Sequence, residues 1–87
     1  MSHSNESKQY RLKANDIDGW YTKKQIADIV TTMTPIHKIG DIYIVCYVQA
    51  DGTYIVVRYR GEVLVLKREA VKNGYRFKLK GKYVRLI

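Results

Sequence analysis

Runs of apolar residues separated by short polar segments make up residues 40–67, where the sequence is GDIYIVCYVQADGTYIVVRYRGEVLVLK. Two turn signals, Asp51-Gly52 and Arg60-Gly61, divide this stretch into three segments. An Asp-Gly pair between β-branched and aromatic residues is a strong hairpin signal, because both central turn residues need positive φ angles. The pattern therefore predicts three antiparallel strands joined by two tight turns, here called the central meander.

The two turns also predict the register of the central meander. Strand side chains point alternately to opposite faces, and two-residue turns at both positions place the same residues on one face. This face is predicted to belong to the core: Ile44, Cys46, Val48, Ile55, Val57, Leu64 and Leu66. The second face is mixed: Tyr43, Val45, Tyr47, Gln49, Tyr54, Val56, Arg58, Arg60, Val63 and Val65. A three-residue loop with a bulge at either turn would shift this register.

The N-terminal third of the chain predicts one strand and one helix. Alternation from Lys8 to Ala14 is typical of a short amphipathic strand at a sheet edge. Residues 15–19 indicate a turn, and apolar residues then recur at helical spacing within residues 20–33: Ile26, Ile29, Val30 and Met33. Thr22 as N-cap and Gln25 three residues later form a capping box, and Pro35 ends the helix. Such a short helix cannot stand alone in water, so its apolar stripe is expected to lie on the sheet.

The C-terminal segment predicts a helical turn over residues 68–74, followed by a hairpin about Gly81. Alternation places one apolar set on the inner face: Tyr75, Phe77, Leu79, Val84 and Leu86. The outward set contains cations and a tyrosine, with no acid: Arg76, Lys78, Lys80, Tyr83 and Arg85. Like charges opposite one another destabilise a sheet, so we interpret this face as a docking surface for a polyanion rather than only a defence against aggregation.

Together these segments predict an α+β fold. The preferred architecture is a small antiparallel β-barrel or strongly curved sheet of SH3-like type, with about five to six strands and one N-terminal helix packed on it. The alternative is an open antiparallel sheet with the helix across one face. Residues 1–7 are expected to be a disordered tail, and residues 8–87 a single α+β domain.

The positive charge of the chain is unevenly distributed. The formal net charge is +8. Residues 1–44 contain six Lys and Arg against five Asp and Glu, a net charge of +1, whereas residues 45–87 contain ten against three, a net charge of +7. The positive field therefore belongs to the central meander and the C-terminal hairpin, which favours an anionic partner.

The sequence contains none of the common motifs for catalysis, so the chain is predicted not to be an enzyme. His3 and His37 lie alone, and the single Cys46 is predicted to be buried. There is no P-loop, dinucleotide glycine pattern or cluster of metal ligands, so no cofactor and no metal are expected. One cysteine, the lack of a basic-then-apolar leader and the lack of a long apolar run predict a cytoplasmic location and no membrane partner.

Residues 22–30, TKKQIADIV, resemble the first helix of a helix-turn-helix unit, in which a Thr-capped helix carries an Ile-Ala pair. A recognition helix would have to follow in such a unit, but Pro35 and a predicted strand come next. The chain is therefore not expected to read DNA with a helix-turn-helix unit.

The leading prediction for function is a small non-enzymatic domain that binds DNA or RNA through a basic and aromatic sheet face. Cations contact phosphates, and flat rings stack on bases. The candidate binding residues supply both: Tyr43, Tyr54, Arg58, Arg60, Arg76, Lys78, Lys80, Lys82, Tyr83 and Arg85. Without a consensus for sequence readout, binding is expected to depend mainly on phosphates and therefore on salt.

The alternative function is that of a small protein-binding regulator or inhibitor, for example one encoded by a phage or a mobile element, that docks on an acidic surface of a host enzyme. An exposed strand edge, at Lys8–Ala14 or Lys82–Ile87, is also a candidate for pairing with a partner strand or with a second copy in a homodimer. Salt separates the two classes of function. Nucleic-acid binding weakens steeply between about 50 and 200 mM salt, whereas an interface with an apolar centre does not.

Overall fold

The structure, a computed structural model, describes residues 8–14 and 16–86, and the predicted tail over residues 1–7 lies outside the described residues. Within the described ranges the chain forms nine strands and one helix. In chain order they are β1 (Tyr10–Ala14), β2 (Ile17–Tyr21), α1 (Lys23–Val30), β3 (His37–Ile39), β4 (Ile42–Gln49), β5 (Thr53–Tyr59), β6 (Glu62–Lys67), β7 (Glu69–Val71), β8 (Gly74–Leu79) and β9 (Lys82–Leu86).

The strands pair antiparallel and form two sheets. The central sheet has six strands in the order β2-β1-β4-β5-β6, and β3 pairs with the first residues of β4 on the same side as β1. The C-terminal sheet has the order β7-β8-β9. The predicted antiparallel sheet and short helix are confirmed. The predicted SH3-like barrel is wrong for the described part of the chain, because the C-terminal strands stack on the central meander as a separate sheet instead of closing it.

Both faces of the central sheet are covered, each by a different layer. Helix α1 lies on one face and forms the helix-side core: Tyr10, Leu12, Ile26, Val30, Val45, Cys46, Val48, Tyr54 and Val56. The C-terminal sheet lies on the other face and forms the sheet-side core: Ile42, Ile44, Ile55, Val57, Phe77 and Leu79. On the mixed face of the meander, Val45 and Val56 are thus buried and Val63 and Val65 partly buried, in line with the expectation that the helix lies on the sheet.

The N-terminus of α1 is fixed by the predicted capping box. The backbone N–H of Gln25 donates to Thr22 Oγ1 at 3.2 Å, and the backbone N–H of Thr22 donates to Gln25 Oε1 at 2.9 Å. These two bonds satisfy two backbone donors that a helix start leaves free. The side chains of Ile26 and Val30 lie one turn apart and are fully buried.

Strand β2 corrects the prediction for residues 17–21 and, with it, the N-terminal position of the helix. Ile17–Tyr21, interpreted as the end of a turn and the start of the helix, pairs along its whole length with β1. The pairing supplies the backbone hydrogen bonds that an edge strand would lack. As a result α1 follows two strands, and β1 lies between β2 and β4 and is not an edge strand.

The first turn of the central meander is longer than predicted. Gln49 pairs with Thr53, so residues 50–52 form a three-residue loop in place of a two-residue turn at Asp51-Gly52. Val48 consequently faces Tyr54, whereas the predicted two-residue turn would have paired it with Ile55.

A β-bulge in β4 changes the faces of the strand. The register shifts between Ile44 and Cys46, with Val45 as the extra residue. Ile44 belongs to the sheet-side core, whereas Cys46 and Val48 belong to the helix-side core. Because a bulge places two residues opposite one, the continuous apolar run of β4 can supply both cores from a single strand.

The second turn of the meander agrees with its prediction. Arg60 and Gly61 have φ angles of 50° and 81°, as the two-residue turn of a tight hairpin requires. The pairing of β5 with β6 has the predicted register throughout, including Val57 with Leu64.

Residues 68–74 contain a strand and a turn, and the predicted helical turn is wrong. Glu69–Val71 pairs with β8, so it satisfies backbone groups along the β8 edge that β9 leaves free. The predicted edge at the C-terminus is observed for β9, which lies at the margin of the C-terminal sheet.

Candidate nucleic-acid interface

The outer surface of the C-terminal sheet carries a cluster of cations around one exposed tyrosine. Phe77 and Leu79 point into the sheet-side core, so the alternate residues of β8 and their partners on β9 point outward. We call this surface the basic face. It comprises Arg76, Lys78, Tyr83 and Arg85 of the hairpin, together with Lys72 from the turn between β7 and β8.

The basic face is organised around the ring of Tyr83, which is 50% exposed. The guanidinium carbon of Arg76 lies 3.8 Å from the ring centroid, and Lys78 Nζ lies 5.6 Å from it. A shallow groove of about 390 Å³ runs beside the ring, lined in part by Lys72 and Arg85. An arginine stacked on an aromatic ring keeps its charge, and the ring holds the plane of the guanidinium group in place. The walls of the groove therefore carry both cations and an aromatic ring.

Strand β7 brings an acid to this face, where the sequence predicted none. Glu69 pairs across the ladder with Arg76, and its Oε1 accepts a hydrogen bond from Arg76 Nε at 3.0 Å. The ion pairs between described residues do not involve Lys78 or Arg85. The positive charge of the basic face is therefore reduced at Arg76 and retained at its neighbours.

Three predicted binding residues lie on the helix side of the central sheet and are separated from the basic face. Tyr43 faces Arg58 across the β4–β5 ladder, and Arg60 lies in the next turn, 3.7 Å from an oxygen of Asp41. Arg58 Nη1 donates to the backbone oxygens of Val30, Thr31 and Met33 at 3.1, 3.1 and 3.3 Å. It therefore holds the carboxyl end of α1, which limits its availability to a partner.

The ring of Tyr54 is buried, whereas the prediction required it to be exposed. Its side chain is only 8% exposed and packs edge-on against Tyr10, with ring centroids 5.0 Å apart. Its hydroxyl donates to Asp51 Oδ1 at 2.7 Å and accepts from Lys8 Nζ at 3.0 Å. The bonds from Tyr54, the Asp51 backbone and Lys8 lower the pKa of Asp51. The prediction fails because Tyr54 shares the helix side of β5 with Val56, and Tyr10 covers that part of the face.

Lys80 and Lys82 flank the tip of the C-terminal hairpin. Lys80 Nζ lies 3.2 Å from Glu62 Oε1 at the start of β6, so the turn is held against the central sheet. Lys82 is exposed and pairs across the ladder with Leu79. Both cations lie at the end of the basic face and not at its centre.

The structure also reveals an exposed aromatic surface that sequence reasoning missed. Where the C-terminal sheet stops, the same face of the central sheet continues uncovered across β4, β1 and β2. We call this surface, together with Arg68 and Tyr75 at its border with the C-terminal sheet, the open aromatic face. Its rings and cations are Trp20, Tyr47, Tyr75, Arg11, Lys13 and Arg68. Alternation in Ile17–Tyr21 was the available signal, but that segment was assigned to a turn and a helix.

Strand register explains how these side chains come to share one face. Trp20 pairs with Arg11, and Arg11 pairs with Gln49, so these three lie in one row across β2, β1 and β4. Tyr47 follows on the same face of β4, since Val48 between it and Gln49 points into the helix-side core. A shallow pocket of about 300 Å³ includes Arg11, Tyr47 and Gln49 in its lining.

No protein-family model matches the chain, and no curated protein or solved structure was found to be similar to it. Over residues 8–14 and 16–86, no three His, Cys, Asp or Glu side chains form a group that could hold a metal ion. In the same part of the chain, no helix is both long enough and apolar enough to cross a membrane.

Proposed function

We propose that the protein is a small binding domain for nucleic acid and that the basic face contacts the phosphate backbone. The observation that carries this proposal is the pair of outward cations, Lys78 and Arg85, that flank Tyr83 without an acidic partner among the described residues. A sheet gains no stability from like charges held side by side. An anionic partner would turn this unfavourable arrangement into a favourable one.

The chemistry of the groove suits phosphates. Arginine and lysine contact phosphate oxygens, and the release of counterions from the nucleic acid makes such binding strongly dependent on salt. With about four phosphate contacts, affinity for a duplex should fall roughly 100-fold between 50 and 200 mM salt. The basic face contains four cations, so it is large enough for this number of contacts.

Fluorescence anisotropy with labelled oligonucleotides tests the proposal directly. Mixed-sequence DNA and RNA, as duplexes and as single strands, would be titrated at about 50 mM and about 200 mM salt. We expect micromolar binding at the lower salt concentration and a steep loss at the higher one. Absence of binding at low salt would reject nucleic acid as the partner and favour docking on an acidic protein surface.

Charge reversal locates the site. Lys78→Glu combined with Arg85→Glu should weaken binding at low salt by about tenfold or more, because two phosphate contacts become repulsive. The matched control is Lys23→Glu combined with Lys24→Glu, which changes the net charge equally on α1, on the opposite side of the central sheet. Equal losses in both variants would show that only net charge matters and that the basic face is not the site.

A further inference from the structure

We propose that the open aromatic face binds the unpaired bases of single-stranded nucleic acid by stacking. This inference rests on the proposed function and names the class of nucleic acid that the protein prefers. Its basis is a set of three exposed rings and three cations beside the basic face, on the central sheet and at its boundary with the C-terminal sheet. One of the cations, Arg11, is paired with Asp18 at 3.1 Å, so Lys13 and Arg68 are the cations outside that ion pair.

Trp20 is the strongest component of this surface. It is the single tryptophan of the chain and is 54% exposed, although tryptophan is usually well buried on average. Within residues 8–14 and 16–86, its strand pairs only with β1, and no other described strand flanks the outer margin of the ring. Exposed tryptophan is enriched among the residues that dominate binding energy, and its flat ring is a good stacking surface for a base.

A second aromatic group lies at the boundary between the two sheets. The guanidinium carbon of Arg68 lies 3.9 Å from the ring centroid of Tyr75 and 5.5 Å from that of Tyr47. The Arg68 backbone N–H donates to the Thr53 carbonyl oxygen at 2.9 Å, which anchors the base of this arginine. Both tyrosines remain substantially exposed, so the stack offers rings and a planar cation to a ligand.

The relative positions of the two surfaces fit one strand of nucleic acid. The C-terminal sheet lies on the same side of the central sheet as the open aromatic face, so both surfaces point in one direction. Stacked sheets are about 10 Å apart, so the basic face forms a step above the open aromatic face. Arg68 and Tyr75 lie at this step. A nucleic-acid strand whose phosphates contact the basic face could cross the step and stack its bases on Tyr47 and Trp20.

The exposed rings favour single strands over duplexes. In a duplex the faces of the bases are already stacked on each other, whereas unpaired bases are free to stack on aromatic side chains. Cations alone would bind either form through phosphates. The rings on the open aromatic face therefore add an interaction that only unpaired bases can use.

An abasic oligonucleotide separates stacking from phosphate binding. The probes are labelled single strands of about 12 nucleotides, namely oligo-dT, oligo-rU and an abasic deoxyribose-phosphate strand of equal length, together with a duplex. We expect oligo-dT and oligo-rU to bind at least about fivefold more tightly than the abasic strand, from one stacked base or more. They should also quench the fluorescence of Trp20, whereas the abasic strand should not.

Substitution of the rings assigns the effect to this surface. Trp20→Ala combined with Tyr47→Ala should reduce oligo-dT affinity by about fivefold or more and leave the abasic strand unaffected. Trp20→Phe alone should retain most of the preference for oligo-dT, because it keeps an aromatic ring. Tyr43→Ala is the matched control, since Tyr43 is a similarly exposed ring on the helix side, and it should not change the preference.

The results distinguish this inference from the proposed function. If all probes bind equally and dissociate with salt, the basic face remains the phosphate site and the stacking inference is overturned. If no probe binds at low salt, both proposals are rejected together. If oligo-dT is preferred but the double ring variant keeps the preference, the assignment of stacking to the open aromatic face is wrong.

Discussion

Arg58 shows how one side chain can be diverted from a surface role to a structural one. Sequence alternation places it on the mixed face of the central meander, and only the packing of α1 on that face brings three carbonyl oxygens at the helix end within reach of Nη1. A helix leaves its last carbonyl groups without intrahelical donors, and a cation there also interacts favourably with the helix dipole. Arg58 therefore links the helix to the sheet.

Replacement of Arg58 tests this structural role. Arg58→Met keeps the aliphatic stem but removes the donor, so the free energy of unfolding should fall by about 1–3 kcal/mol. Urea denaturation measures the change. Arg60→Met, two residues along and solvent-exposed, should change stability by less than about 0.5 kcal/mol. A similar loss in both variants would contradict the role of Arg58 at the helix end.

Cys46 makes stability depend on pH in the alkaline range. Burial in the helix-side core raises the pKa of its thiol from 9.0 to about 11. The folded state disfavours the thiolate, so the contribution of Cys46 is fully present below pH 9.0 and declines as the pH rises towards about 11. Wild type should therefore lose more stability than Cys46→Ala between about pH 8 and about pH 10.5 in urea denaturation. Equal losses would mean that the thiol titrates normally in the folded state.

At the scale of elements, α1 has charges that oppose its dipole. Lys23 and Lys24 occupy the first turn, which contains no acid, and the amino end of a helix carries partial positive charge. Lys23→Glu combined with Lys24→Glu should raise the urea midpoint by the equivalent of about 0.5–2 kcal/mol at low salt. The gain should shrink at high salt because the interaction is screened. A loss of stability would show that these lysines make contacts that favour the fold.

Local signals predicted the elements that depend on neighbouring residues alone. The capping box needs only Thr22 and Gln25, and the tight turn at Arg60-Gly61 needs only a residue pair that accepts positive φ angles. The bulge at Val45 and strand β7 have no comparable local signal. They arise because distant segments compete for the same backbone hydrogen bonds and core space, which the sequence pattern does not specify.

At the scale of the whole molecule, β5 joins the two cores. Val56 points into the helix-side core and Val57 into the sheet-side core, and both are fully buried. A side chain lost from either core should therefore affect the stability of both outer layers. This connection explains how a chain of 87 residues can support three layers on a modest core.

Matched substitutions in β5 test whether the layers unfold together. Val56→Ala and Val57→Ala should each lower the free energy of unfolding by about 1–3 kcal/mol. Hydrogen exchange should show the same decrease for the slowest amides of α1 and of β8 in both variants. A decrease confined to β8 in Val57→Ala would indicate that the C-terminal sheet opens independently.

The side of the molecule on which each cation lies could not be derived from the sequence. Alternation correctly placed Arg76, Lys78 and Arg85 together, because they belong to one hairpin. It could not reveal that Arg58 and Arg60 lie across the central sheet from them, since that depends on which layer covers which face. The open aromatic face was missed for the same reason, because its residues come from β1, β2, β4, β8 and the connection between β6 and β7.

The bulge at Val45 has a consequence for how the length of this chain can change during evolution. Between Ile44 and Tyr47, β4 has two residues opposite a single residue of β5. Loss of the Val45 codon would therefore restore regular pairing. Tyr47 would still face the solvent, and Val48 would still face the helix. A one-codon deletion in a regular strand such as β5 would instead exchange the two sides for every residue beyond it. Position 45 is thus a place where the gene can be shortened without exchanging the side of β4 that faces the helix and the side that faces away from it.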